Sequence, residues 1–201
     1  MSLKLLGGTS LLLLGPAVGF AQSTPSVYVG ASATLIYAAP FSSYSSSRFG
    51  PAATLGVQLD PRWAVETSFQ YFWQNESSSY MMSSYETNSR IFVIPLLARY
   101  TFTDDAASRL QTDILGGGSW LHSSYRTQYT YFNNNQAVVD GYRGTSNAAA
   151  LTLGPQLRYG IGSNLEAKLS LPFNLLLNGG GSFSDRLFLS PQLGMQYTFS
   201  K

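Results

Sequence analysis

The 201-residue chain has no cysteine, a single histidine and few charges, Asp, Glu, Lys and Arg together making up 11% of it. Without cysteine there is no disulfide framework, no thiolate metal site and no lipid-modified cysteine behind a leader. The net charge of +2 is spread along the chain, which excludes a nucleic-acid-binding surface. A membrane-spanning helix needs about 20 apolar residues, and no run of that length occurs. The longest, Leu5 to Leu14, follows Lys4 and precedes Gly19-Phe20-Ala21. These are the parts of a secretory signal peptide over residues 1–21, with cleavage after Ala21. Residues 22–201 then form one domain. Nothing in the pattern calls for a metal or a cofactor.

What the chain has is aromatic residues, 14% of the total, set in alternating segments. In the stretch from Leu187 to Phe199, the positions Leu187, Leu189, Pro191, Leu193, Met195, Tyr197 and Phe199 are apolar or aromatic. Between them, Phe188 apart, lie Ser190, Gln192, Gly194, Gln196 and Thr198. Such alternation makes a strand with one apolar and one polar face. Seven further segments read alike: Val27 to Tyr37, Ala53 to Leu59, Trp63 to Trp73, Ile91 to Phe102, Leu110 to His122, Ala149 to Tyr159 and Leu165 to Leu177. Connections at 60–62, 103–108 and 161–163 are short. Those at 38–50, 74–89, 123–145 and 178–185 are mostly long and rich in Ser, Tyr, Asn and Gly. The expectation is all-β: an eight-stranded antiparallel up-and-down transmembrane barrel with short periplasmic turns and longer external loops. A secreted soluble sandwich fits less well, since its strands are usually shorter.

Strand parity sorts the remaining residues. Trp63, Tyr100, Phe102, Tyr159, Tyr197 and Phe199 fall at turn-side strand ends, and Tyr37, Tyr71, Trp73 and Trp120 at loop-side ends. Amphipathic rings favour the two membrane interfaces, so these form an aromatic girdle. Glu66, Asp113 and Glu166 point inward with Arg99, Arg158 and Lys168, a balanced set suited to a polar plug or to an ion path. A lumen this narrow is filled by side chains, which favours the plug. The turns should set Glu66 opposite Gly56 and Arg158 opposite Glu166. Inward glycines (Gly30, Gly56, Gly117, Gly154, Gly194) offer slots for bulky neighbours. Gly116-Gly117-Gly118 reads as a bulge or bend, and mid-strand Pro95, Pro155, Pro172 and Pro191 predict bulges or irregular pairing.

The segment Ile94-Pro95-Leu96-Leu97-Ala98-Arg99-Tyr100-Thr101-Phe102 resembles a fourth-strand pattern of the PorT-like outer-membrane β-barrel domain common in Bacteroidetes, a small barrel of OmpA- and OmpX-like size. Gly154-Pro155-Gln156-Leu157-Arg158-Tyr159 and the ending with Tyr197 and Phe199 are similar too. The resemblance implies an eight-stranded barrel inserted into the lipid bilayer of the outer membrane by the assembly machinery. It implies little about activity. Ser200 and Lys201 follow Phe199, where such barrels often end on the aromatic itself.

His122 and Ser124 share the outward face near the external rim, an arrangement similar to the His-x-Ser of lipid A deacylase barrels. The Asn that follows the Ser in those enzymes is absent here, and no spacing among Glu76, Glu86 and Asp140 selects a third group. The primary expectation is a non-enzymatic barrel with a membrane-integrity or surface-interaction role. Its loops carry Tyr44, Tyr80, Tyr85, Tyr125, Tyr129, Tyr131 and Asn133 to Asn135, side chains suited to an extracellular ligand. A small pore or transport accessory is the second reading, and a lipid A-modifying enzyme built on His122 and Ser124 the third.

Overall fold

A computed structural model describes residues 25–37, 47–80, 83–103, 108–133, 136–178 and 183–199. The expected leader, Tyr44, Asn134, Asn135, Ser200 and Lys201 lie outside them. The strands are β1 (Ser26–Ile36), β2 (Arg48–Gln58), β3 (Trp63–Tyr80), β4 (Ser83–Thr101), β5 (Leu110–Asn133), β6 (Gln136–Gly160), β7 (Leu165–Ser170), β8 (Phe173–Leu176), β9 (Leu187–Leu189) and β10 (Gln192–Phe199). A single helical turn, α1 (Phe183–Arg186), precedes β9. β7 and β8 are two halves of one wall strand, as are β9 and β10, so the ring has eight strands. Every neighbour is antiparallel, and β10 closes on β1 from Val27↔Phe199 to Thr34↔Gln192.

Alternation sets which face is which. Along β4, Ile91, Val93, Pro95, Leu97 and Arg99 are buried, while Ile94, Leu96 and Ala98 are exposed. The outer wall is accordingly apolar, with Leu96 at 62% and Leu193 at 64% exposure. In water such a surface would be costly at about 25 cal/mol per Å². It is the face a bilayer covers, and the chain is an outer-membrane-type barrel.

The turns are built locally. Asp60 Oδ1 accepts from the Arg62 and Trp63 amides at 2.7 and 2.8 Å, fixing the β2–β3 turn as an Asx-type bend. That turn sets Gly56 opposite Glu66, as the spacing requires.

Three expectations need correction. Residues 74–80, 83–89, 123–133 and 136–145 are not loops: β3 and β4 pair from Trp63↔Tyr100 out to Tyr80↔Ser83, and β5 and β6 from Leu110↔Tyr159 out to Asn133↔Gln136. Serine, tyrosine and asparagine on both faces hide strand alternation, yet backbone pairing does not require an apolar face. β2 likewise begins at Arg48, five residues before the expected Ala53.

The triple glycine is not a bulge. Gly116, Gly117 and Gly118 stay in register with Ala98, Leu97 and Leu96 on one side and with Leu153, Thr152 and Leu151 on the other. Gly117 is required because a Cβ there would lie 2.1 Å from the Leu96 carbonyl oxygen.

The prolines interrupt pairing without shifting it. Breaks fall at Leu171-Pro172, at Ser190-Pro191 and opposite Pro95, but the register on either side is the same: Gln156↔Ser170 continues as Leu153↔Phe173, and Thr67↔Leu96 as Gln70↔Val93. Each proline keeps its carbonyl in use. Leu171 N donates to Pro155 O at 3.0 Å, Ser190 N to Pro172 O at 3.0 Å and Leu35 N to Pro191 O at 2.9 Å. The cost is one return hydrogen bond per proline, about 1 kcal/mol each.

Gly117→Ala is expected to destabilise the barrel by about 1–3 kcal/mol through overpacking. Gly116→Ala, whose Cβ would meet only Leu153 Cδ1 at 3.6 Å, should be close to neutral. Urea midpoints of the heat-modifiable gel band, compared for both variants, check this.

Candidate functional site

The lumen is filled in three layers. The turn-side layer is ionic. Glu66 accepts from Tyr28 Oη at 2.7 Å and lies 3.6 Å from Arg99 Nη1. The Arg99 guanidinium sits 4.9 Å from the Tyr28 ring centroid and donates to Gln58. The ring of Tyr28 rests on Gly56, where a Cβ would come within 2.1 Å of it. Gly56 is therefore the slot that lets Tyr28 reach Glu66.

The second half of this layer centres on Arg158. It donates to Asp113 from Nε at 2.6 Å and from Nη2 at 3.0 Å, and to Glu166 at 3.1 Å. Thr101 and Gln156 complete the shell of Asp113 at 2.7 and 3.1 Å. Gln196 donates to Glu166. The residue directly across from Arg158 is Lys168, not Glu166 as the turn length suggested; Glu166 pairs across from Gly160. The Arg158–Glu166 ion pair is thus diagonal. Lys168 donates to Thr54 Oγ1 at 3.3 Å. All six charges face inward, Glu166 less covered than the rest.

Above lies a layer of hydroxyls and amides. Ser119 and Thr152 share a 2.6 Å hydrogen bond, Thr152 donates to Asn174 at 2.8 Å, and Asn174 donates to Ser190 at 2.8 Å. A void of about 10 Å³ borders this layer, at the lower limit of what one water needs. Toward the external end Ile36, Phe72, Ile91, Leu121, Leu176 and Phe188 close the lumen as an apolar layer. Sequence reasoning missed this layer. Its signal was β4, apolar at both parities, where the inward Ile91 and Val93 were indistinguishable from lipid-facing residues.

Beyond the apolar layer β3, β4, β5 and β6 rise as a sheet whose inward face forms a cup of about 760 Å³. Tyr85, Tyr125, Tyr129 and Tyr142 line it with Arg48, Glu76 and Thr127. Tyr85 and Tyr129 stack at 5.9 Å, Tyr129 and Tyr142 at 6.3 Å, and Tyr125 meets Tyr142 edge-on at 5.6 Å. Gly144 makes room for the Tyr125 ring, which a Cβ would approach to 2.4 Å. Glu76 accepts from Gln74 and Tyr85, and Arg48 donates to Ser89 at 2.8 Å.

The girdle residues Trp63, Trp73, Trp120, Tyr159, Tyr197 and Phe199 are exposed, and Tyr100 is half-buried. They cluster in pairs: Trp63 with Tyr100 at 4.9 Å and Tyr197 with Phe199 at 5.1 Å on the turn side, Trp120 with His122 at 5.9 Å on the loop side. His122 Nδ1 is 2.8 Å from Asn147 Oδ1, which orients the ring. No hydrogen bond joins His122 to Ser124 among the described residues, and no group of three or more His, Asp or Glu among them could hold a metal ion.

No family model matches the sequence, and no curated protein matches it. Solved structures do. Neisserial surface protein A is similar at 15% identity and TM-score 0.54, over 88% of this chain and 100% of that one. A major outer membrane protein of Thermus thermophilus is similar at 14% identity and TM-score 0.56, over 88% and 100%. Ail, the attachment invasion locus protein of Yersinia pestis, is similar at 12% identity and TM-score 0.51, over 87% and 97%. At these identities the likeness is one of fold: a small eight-stranded outer-membrane barrel.

Arg158→Ala strands two carboxylates in the lumen and should cost about 3–5 kcal/mol. Lys168→Met, which removes one hydrogen bond to Thr54 and a longer-range attraction to Glu66 but strands no directly paired carboxylate, should cost less than half of that. Urea unfolding in detergent micelles distinguishes the two.

Proposed function

We propose that this barrel is a non-enzymatic surface-interaction protein of PorT-like type, whose lumen is a plug and whose external cup is the working part. The observation that carries the reading is the apolar layer between the ionic network and the cup. An ion crossing it would lose its hydration with no polar group to replace it, at a cost of several kcal/mol. That opposes a pore. It also gives the cup a dry, rigid floor, and aromatic rings held on paired strands make contact area at little entropic cost. Rings interleaved with Glu76, Gln74 and Thr127 suit a polar ligand with flat apolar faces, such as an oligosaccharide.

For catalysis, Asn147 supplies an orienting partner to His122 that spacing alone did not identify. Ser124, the would-be nucleophile, has no hydrogen bond to that imidazole, and general-base activation needs one. The non-enzymatic reading is therefore preferred.

In planar bilayers the purified protein is expected to show no stepwise conductance, and frequent openings would overturn the plug. On a glycan array, Tyr129→Ser with Tyr142→Ser should lose at least about tenfold in binding signal, the scale of losing two anchoring rings; an unchanged or wholly blank array would count against the cup. Lipid A from cells expressing the protein should keep its full set of acyl chains, with or without Ser124→Ala. Acyl loss that Ser124→Ala abolishes would promote the enzyme.

A further inference from the structure

The outward face of the extramembrane sheet carries a feature unrelated to the cup. On β5 the successive outward positions are Trp120, His122, Ser124 and Arg126, flanked inward by the buried Leu121, Ser123 and Thr127. Arg126 pairs directly across from Arg143 of β6, and across from Asn88 of β4 on its other side. Arg90, two residues from Asn88, lies on the diagonal and stands opposite Trp73 of the girdle. All three arginines are exposed.

Directly opposed residues of an antiparallel pair have Cβ atoms about 5 Å apart and diagonal ones about 7–8 Å, and like charges so placed repel. Of the described carboxylates only Glu86 lies on a diagonal to Arg126, and its one charge does not balance three arginines. Among the described residues no carboxylate forms an ion pair with Arg90, Arg126 or Arg143. Glu86, on the same face, accepts from Asn88 at 3.5 Å. Asp140, which borders the same cleft, accepts from the Gly141 amide at 2.7 Å. That cleft, about 270 Å³, is lined by Arg126, Gln128, Val139 and Arg143. A paired-guanidinium cleft is a site for a bidentate oxyanion, phosphate above all.

Its position says where the phosphate comes from. The rings of Trp73, Trp120 and His122 mark the external membrane interface. The arginines continue the same strands just beyond those rings, and their face looks sideways along the membrane rather than up into solvent. We propose that Arg126 and Arg143, with Arg90 at the flank, seat phosphate-bearing lipid headgroups of the outer leaflet and so form an annular lipid site on one side of the barrel. The proposal rests on the barrel's placement in the membrane and not on the cup, so the two can fail separately.

The test uses the full protein folded into phosphatidylcholine vesicles, with tryptophan quenching by brominated phosphatidic acid measured against brominated phosphatidylcholine. Wild type should prefer the phosphatidic acid. Arg126→Gln with Arg143→Gln should lower that preference by about fivefold per arginine, the scale of one basic residue at an anionic surface, and Arg126→Lys with Arg143→Lys, which keeps the charge but loses the guanidinium fork, should restore only part of it. The heat-modifiable band shows that each variant is folded. Equal preference in wild type and the Gln variant would overturn the proposal. So would inorganic phosphate displacing the brominated lipid at matching concentration, which would mark a site for a free anion.

Discussion

An eight-stranded barrel has room inside for side chains and nothing else, and every other property of this molecule follows from how that room is filled. Three carboxylates and three cations enter the lumen near the periplasmic turns. Burying any of them alone would cost several kcal/mol. Arg158 resolves most of the difficulty by engaging Asp113 and Glu166 together, while Glu66 is met by Tyr28 and Arg99. Hydrophobic replacements could fill the same space. The ionic arrangement fixes which strands sit beside which, because Arg158 finds its carboxylates on β5 and β7 and nowhere else.

The order of the three layers follows from distance to water. Charges lie near the turn-side mouth, where solvent helps to offset their burial. Hydroxyls and amides occupy the middle, where Ser119, Thr152, Asn174 and Ser190 form one hydrogen-bonded chain. Aliphatic and aromatic groups form the external closure, where the wall continues upward as sheet and the lumen opens into the cup. Plug and cup therefore share strands: each inward row of β3 to β6 that ends the plug begins the lining of the cup.

Much of the fold was legible because a membrane barrel writes its two solvents into alternate residues. The outward Leu193, Met195 and Tyr197 and the inward Gln192 and Gln196 could be assigned from parity alone, and so could the pairing of Gly56 with Glu66. Four things were not legible. Residues 74–89 and 123–145 are polar on both faces, so alternation has nothing to report once the strands leave the membrane. Ile91 and Phe72 are apolar yet inward, and lipid and stopper demand the same chemistry. The true partner across from Arg158 depends on the geometry of the turn at 161–164, where a change of two residues moves a charge by one rung. For His122, the orienting Asn147 lies on another strand and no local spacing reveals it.

The proline pairs deserve a mechanical reading. Pro155, Pro172 and Pro191 each accept a hydrogen bond from the next strand and return none, and the three half-made pairs fall on successive seams from β6 round to β1. They trace a diagonal line across one side of the cylinder, passing through both strand breaks. A full hydrogen-bonded rung resists shear with two bonds; along this line each does so with one. The wall thus has a direction of reduced stiffness, and when lateral pressure in the bilayer changes, the cross-section should ovalise along that diagonal, with the Arg158–Glu166 ion pair bracing the β6–β7 seam.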